Sequence, residues 1–387
     1  MILLDRYILR SFLVPFLLCF FGFLSIWLVF DLQGNISDFL DAHVSFKWIV
    51  YYYLTQVPQF MMICLPVGLL LALLFCLSKM SRSNEIIAML TAGQSLVRVL
   101  RPLIGAGLLL TGVCLALNYS LAPHSDSIKK ELKNGISKKK DRRKFLEGQV
   151  FVNRADRRAW YVTKMPAKVD NGDSILQEVD ITQFNEAGNI TAKWYAENAR
   201  YRPETKTWFF EHAKTVQFSP DGTLQPNKSS TGMPLLEING WSETPWRIAS
   251  TNLDPQGLSV PELREYFQNN ADFPPAQLAP YRTHFQYRWA LPFQCLVVVL
   301  FTGPLAIVFS RRGVLSGIAG AIFLFAGMTF FTFLMLAIGK GSRVSAITAA
   351  WSPIVIFSCI GLFLLYFKGT NREFPKLATL FSSKPKR

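Results

Sequence analysis

Apolar residues run along this chain in two blocks, with a polar stretch between them. A helix that crosses a bilayer needs roughly 20 mostly apolar residues, and it must satisfy its backbone polar groups within itself. Six stretches are long enough, at about 11–30, 54–77, 100–122, 289–310, 314–338 and 349–367. Between the third and fourth the period changes. Residues 190–198, "ITAKWYAEN", alternate Ile190, Ala192, Trp194 and Ala196 with Thr191, Lys193, Tyr195 and Glu197, which is the period of a half-buried strand. "QVFVN", "RAWYVTK", "LQEVDITQF", "TWFFEHA" and "TVQF" read the same way. Turn signals separate them at Asn171-Gly172-Asp173, Ala187-Gly188-Asn189, Pro203-Glu204 and Pro220-Asp221-Gly222. Many short strands at this spacing predict a sandwich, jelly roll or barrel. Ser259 and Glu262 then form a capping box ahead of "LREYFQNN", and the proline-rich "DFPPAQLAP" leads back to apolar sequence. The expected fold is an α-helical transmembrane bundle of six spans, three plus three, with an inserted all-β domain. Residues 1–122 hold spans one to three, 123–288 the β domain, and 289–387 spans four to six with a polar tail.

Charge gives the bundle a direction. The net charge is +15, and its distribution argues against nucleic acid as the partner. Basic residues flank the spans on one side: Arg6 and Arg10, then Lys79, Arg82, Arg98 and Arg101, then Arg311 and Arg312. The tail adds Lys368, Arg372, Lys376, Lys384, Lys386 and Arg387, and the acidic residues on that side are Asp5, Glu85 and Glu373. The opposite short loop sets Asp31, Asp38 and Asp41 against Lys47. Lys and Arg favour the cytoplasmic side, so both termini are expected in the cytoplasm and residues 123–288 outside it. Lys340 and Arg343 on the outer side weaken this asymmetry without reversing it. The first span is expected to be retained, because no small-x-small cleavage pattern follows its apolar core.

Motifs for chemistry are scarce. Cys19, Cys64, Cys76, Cys114, Cys295 and Cys359 all fall in predicted spans, with neither disulfide nor zinc spacing. "GKGS" at 339–342 has Leu334 where a phosphate-binding loop needs its first glycine. His43, His124, His212 and His284 are scattered, and HExxH, GxSxG and CxxC do not occur. No catalytic site, cofactor or metal is therefore expected. The glycines Gly105, Gly107 and Gly112, and Gly313, Gly317, Gly320 and Gly327, allow close helix packing or a moving seam. The densest charge is the run 129–144, with Lys129, Lys130, Lys138, Lys139, Lys140, Arg142, Arg143 and Lys144. It reads as a solvated stalk or as a contact for anionic headgroups, at roughly 1 kcal/mol per basic residue.

A separate amphipathic stretch, "SRSNEIIAMLTAGQSLVRVLRP" at 81–102, lies between the second and third spans. Ser83 is placed to cap a helix over about 83–92, and Gly93 to stop it. Glu85, Ala88, Met89 and Ala92 then share one side, while Ile86, Ile87 and Leu90 extend the apolar surface. Such a helix lies on the inner leaflet or receives force from a separate ATPase.

Arg82, Glu85, Ile86, Met89 and Gly93 match a loop pattern R-x-x-E-[IL]-x-x-[ML]-x-[AS]-x-G, with Thr91 at the Ala/Ser position. With this loop and its three-β-three layout, the chain resembles the LptF/LptG family, the paired permeases of lipopolysaccharide export. "LDRYI" at 4–8 and "LDPQGLSVPELREYF" at 253–267 look closer to the LptG half. The resemblance implies a bacterial inner-membrane subunit paired with a second LptF/LptG-type permease. It implies an LptB-like cytoplasmic ATPase dimer docked on the loop helix, and lipopolysaccharide taken from the outer leaflet. It also implies a periplasmic β-jellyroll that hands lipid to an LptC/LptA-like bridge. Trp160, Trp194, Trp208, Phe210 and Phe218 would then line an acyl-chain groove, or else form an ordinary sandwich core. Asp31, Asp38 and Asp41 stand where such members often carry phosphate-binding lysines, so those contacts do not carry over. The basic run or the partner chain would supply them, or the lipid is less phosphorylated. Two other readings compete: a membrane-anchored β domain that scaffolds the envelope without transport, and an enzyme acting on lipid headgroups.

Overall fold

The computed structural model of the chain describes residues 3–41, 45–122, 125, 145–166, 174–219, 223–225, 230–250, 253–271, 273–307 and 313–370. It divides into two compact units, Met1–Lys129 with Ala279–Arg387, and Lys130–Leu278. In chain order the elements are α1 (Leu3–Asp41), α2 (Phe46–Arg82), α3 (Glu85–Thr91) and α4 (Leu96–Ala116), the last running into a π-helical turn, Leu117–Leu121. The strands follow: β1 (Phe145–Asn153), β2 (Arg158–Pro166), β3 (Ile175–Phe184), β4 (Ile190–Arg202), β5 (Thr207–Gln217) and β6 (Ser230–Asn239). Then come α5 (Pro245–Ser250), α6 (Val260–Asn269), α7 (Pro275–Ala290), a 3-10 turn Leu291–Phe293, α8 (Gln294–Ala306), α9 (Gly313–Lys340) and α10 (Ala346–Gly369). The run 129–144 and the turns at 171–173 and 220–222 lie outside the described residues, as do His43, His124, Arg311, Arg312 and the tail from 371.

Among the described residues, six helices or helix pairs are long and apolar enough to span a membrane: Leu3–Ser37, Phe46–Arg82, Leu96–Tyr119, Pro275–Ala306, Leu315–Lys340 and Ala346–Gly369. The fourth starts well before the expected 289, because "PAQLAP" at 275–280, expected as part of a linker, forms the start of α7. Pro275 occupies the first position, where no N–H is needed, and Pro280 removes a single hydrogen bond without ending the helix. The bundle core is built on Leu69, Leu73 and Leu77 of α2, Leu100 and Leu103 of α4, and Val298 and Phe301 of α8, all buried. Gly107 is where α4 meets α8 most closely, since a Cβ there would stand 2.7 Å from Val299 Cγ2. Gly361 makes a similar approach, with a Cβ 2.9 Å from Leu300 Cβ, whereas Gly105 and Gly112 face open space. In the most apolar window of α2, 67% is buried, against 11% for α1 and 22% for α9.

In the other unit the six strands form one open antiparallel sheet in sequential order, β1-β2-β3-β4-β5-β6, consistent with a jellyroll-like domain. "TWFFEHA" and "TVQF", expected as two strands, are one: β5 runs through both, with a register shift between Ala213 and Thr215. The last strand, β6, was not expected. Gly232 and Pro234 break its pattern, and both are tolerated because β6 pairs along one edge only. The capping box of α6 is present: Ser259 N–H donates to Glu262 Oε2 at 2.7 Å, and Glu262 N–H donates to Ser259 Oγ at 3.4 Å.

Candidate functional site

In the membrane unit, the candidate residues of the 81–102 stretch gather around a two-residue reversal. Asn84, with φ 60°, turns the chain between α2 and α3. Asn tolerates this left-handed region better than most residues. Ser83 does not cap α3. Its N–H closes α2 by donating to Lys79 O, and its hydroxyl donates to Glu85 Oε1 at 2.8 Å. The second carboxylate oxygen of Glu85 accepts from the Tyr7 hydroxyl of α1, also at 2.8 Å. Asn84 occupies the position before α3, one residue later than expected, and the Ser83 hydroxyl also faces the last turn of α2, 3.0 Å from Lys79 O and 3.3 Å from Met80 O. Ile86 is buried in the bundle core, with Met89 and Leu90 packed against it. Arg82, Ala88, Thr91, Ala92 and Gly93 are exposed. Gly93 ends the helix at φ +85°, its N–H donating to Leu90 O. Ser95 starts α4 by accepting from Arg98 N–H at 3.2 Å, and Arg98 Nη2 lies 3.3 Å from Asp5 Oδ2 on α1.

The first turns of α1 are therefore bonded to both flanks of the α3 loop, through Tyr7–Glu85 on one and Asp5–Arg98 on the other. Sequence reasoning did not find Tyr7 or Asp5. They lie 78 and 93 residues from their partners; the "LDRYI" similarity touched both, and the charge count named Asp5 without a partner.

In the β unit, cross-strand registers set the candidate groove residues on one face. Phe151 pairs with Trp160, Trp160 with Ile181, and Ile181 with Trp194. A neighbouring row runs Leu176, Ala199, Phe210, Leu236, and the next joins Tyr201, Trp208 and Ile238. Trp160 and Trp208 are 0% exposed and Phe210 1%, while Trp194 is partly buried. Phe218 stands apart, bridged to Leu224 beyond the end of β5. The face is covered by a segment the sequence did not single out. Trp241 packs 5.3 Å from Trp194, 5.6 Å from Trp160 and 5.9 Å from Phe210 between ring centroids, and Ile248 of α5 is buried in the same cluster.

A polar latch holds this cover. Glu243, 0% exposed, accepts from Arg158 Nε at 2.8 Å, Arg158 Nη2 at 3.0 Å and Asn153 Nδ2 at 2.8 Å. Its backbone carbonyl accepts from Trp208 Nε1 at 2.8 Å, and the Arg158 guanidinium stacks 4.6 Å over Trp241. Asp156 joins through Ser242 Oγ at 2.7 Å and Arg158 Nη2 at 2.6 Å. The Ser242 hydrogen bond, then the Arg158 charge and Asn153, hold the Asp156 carboxyl below its usual range against an opposing effect of burial. No local spacing announces these contacts, since Arg158 and Glu243 are 85 residues apart.

The family model described as lipopolysaccharide export system permease LptF/LptG matches residues 6–366 of the chain. Two relatives described as lipopolysaccharide export system permease protein LptG, from Escherichia coli (strain K12) and Escherichia coli O6:H1, are each 22% identical over 375 residues. The match covers 94% of this chain and 98% of each relative.

Proposed function

The chain belongs to the LptF/LptG family of lipopolysaccharide export permeases, and on that premise we propose that it is one of two unlike permeases of an inner-membrane exporter. It is a transport subunit, and a separate cytoplasmic ATPase dimer supplies the energy. The exporter extracts lipopolysaccharide, or a related glycolipid, from the outer leaflet and passes it to a periplasmic bridge. Both termini and α3 face the cytoplasm. Ile86 and Met89 root α3 in the bundle, leaving Ala88, Thr91 and Ala92 to meet the ATPase. Glu85 accepts a charge-assisted hydrogen bond from a basic residue there, worth about 1.5–3 kcal/mol, while Tyr7 and Ser83 hold the carboxylate in place. Movement of α3 then reaches α1 directly. The sparsely buried α1 and α9 face the second permease and the lipid path. Acyl chains enter the aromatic face of the β sheet once the Trp241 cover swings away.

The observation that carries this reading over a scaffold is the double bonding of α1 to the α3 loop. A membrane anchor that only displays a β domain has no use for a surface helix wired to its first span. The test is affinity purification in mild detergent with identification of the co-purifying chains. A second, unlike permease and an ATPase are expected. Glu85→Ala should keep the permease and lose most of the ATPase. A wild-type protein that retains no ATPase would favour the scaffold.

A further inference from the structure

A cavity of about 950 Å³ opens along α1 and α2 on the Glu85 side, within the volume range of sites that hold small ligands. Its lining changes character from end to end. Tyr7, Arg10, Lys79 and Glu85 lie at one end, and Val14, Leu18, Leu71 and Phe75 toward the other. From Tyr7 to Leu18 is eleven residues of helix, or about 16 Å at 1.5 Å per residue. That is about half the roughly 30 Å hydrocarbon core, the depth of one leaflet. At the polar end, both oxygens of Glu85 are already engaged by Tyr7 and Ser83. Arg10 and Lys79 are exposed and have no ion-pair partner among the described residues. The slot thus offers two unpaired cations above an apolar channel one leaflet deep.

We propose that this slot binds one anionic glycerophospholipid of the cytoplasmic leaflet, its phosphate between Arg10 and Lys79 and an acyl chain against Val14, Leu18, Leu71 and Phe75. The leaflet assignment rests on the topology proposed above. It also separates this lipid from the exported one, which is drawn from the opposite leaflet. The headgroup lies beside the Tyr7–Glu85 bond, so its presence steadies the α3 brace and ties ATP-driven work to the lipid composition of the inner leaflet.

The test uses the purified complex in nanodiscs of phosphatidylethanolamine with a minor share of phosphatidylglycerol, with retained lipid read by native mass spectrometry. The wild type should retain phosphatidylglycerol in preference. Each neutralised charge weakens retention about fivefold, so Arg10→Gln with Lys79→Gln loses roughly twenty-five-fold. Val14→Trp with Leu18→Trp, which fills the channel and leaves the charges, should lose the bound lipid as well. Equal retention of the two lipids by the wild type, or unchanged retention by the charge variant, would overturn the site. Crosslinking of a cysteine at Val14 to another protein chain would also overturn it, because a partner helix would then occupy the slot. A cysteine at Lys79 that labels from the periplasm would overturn the leaflet assignment and the functional reading beneath it. Cytoplasmic labelling with loss of lipid selectivity in the wild type overturns the site alone.

Discussion

Gly105 and Gly107 sit two positions apart in α4 and carry opposite predictions. A Cβ at Gly105 meets nothing within 4 Å, whereas at Gly107 it stands 2.7 Å from Val299 Cγ2. Replacing an interior helical glycine by alanine gains about 0.5–1 kcal/mol when space allows, and overpacking costs about 1–3 kcal/mol. Gly105→Ala should therefore raise the thermal unfolding midpoint of the detergent-solubilised protein slightly, and Gly107→Ala should lower it. Arg158 is the second test at this scale. Arg158→Met takes from buried Glu243 the guanidinium that bonds both of its oxygens, at a cost of about 3–5 kcal/mol to the β unit. Adding Glu243→Leu should recover most of that loss, as read by tryptophan fluorescence during unfolding. Asp156 sets a pH dependence of definite sign. Its carboxyl is depressed in the folded state, so its contribution is full above the unfolded value of about 4 and is lost as pH falls through the folded one. The unfolding midpoint of the β unit should drop in that acid window, and Asp156→Asn should flatten the drop. The effect is modest, because the side chain is 38% exposed and solvent screens it.

At the scale of elements, α3 shows what a sequence can and cannot carry. Its helical period, its Gly93 stop and its lone Glu85 are local features, and all three were legible. The role of Ser83 was not, because the left-handed turn at Asn84 leaves Ser83 at the end of α2, one residue short of the start of α3. Tyr7 and Asp5 were invisible for a plainer reason: nothing in a first span announces which loop it will meet. The β unit repeats the lesson. Strands with clean alternation, such as 190–198, could be read directly. β6 was hidden by Gly232 and Pro234, and the cover at Trp241–Glu243 has no periodicity. Tyr7→Phe removes one hydroxyl bond, worth about 1 kcal/mol, without touching the outward face of α3. The ATPase should still co-purify with this variant while export slows, whereas Glu85→Ala should lose both. If Tyr7→Phe exports at the wild-type rate at ordinary expression levels, α1 does not receive the motion of α3.

At the scale of the whole molecule, the six spans and the inserted sheet followed from hydropathy and alternation, because both patterns repeat over many residues. Orientation rests on charge asymmetry, and single cysteines at Lys206 and Ser83 should label from opposite sides of the membrane. Same-side labelling would remove the basis for an ATPase on α3. The central claim is that ATP-driven work moves lipid across the aromatic face of the β sheet. The most direct measurement places a photo-crosslinking residue at Trp194, on that face, and a control at Tyr195, whose side chain is exposed on the other. In membranes containing lipopolysaccharide, the account predicts capture of lipid at Trp194 when ATP is supplied, little capture without ATP, and little at Tyr195 under either condition. A complex that hydrolyses ATP and exports lipid, yet shows no capture at Trp194 or equal capture with and without ATP, would contradict it.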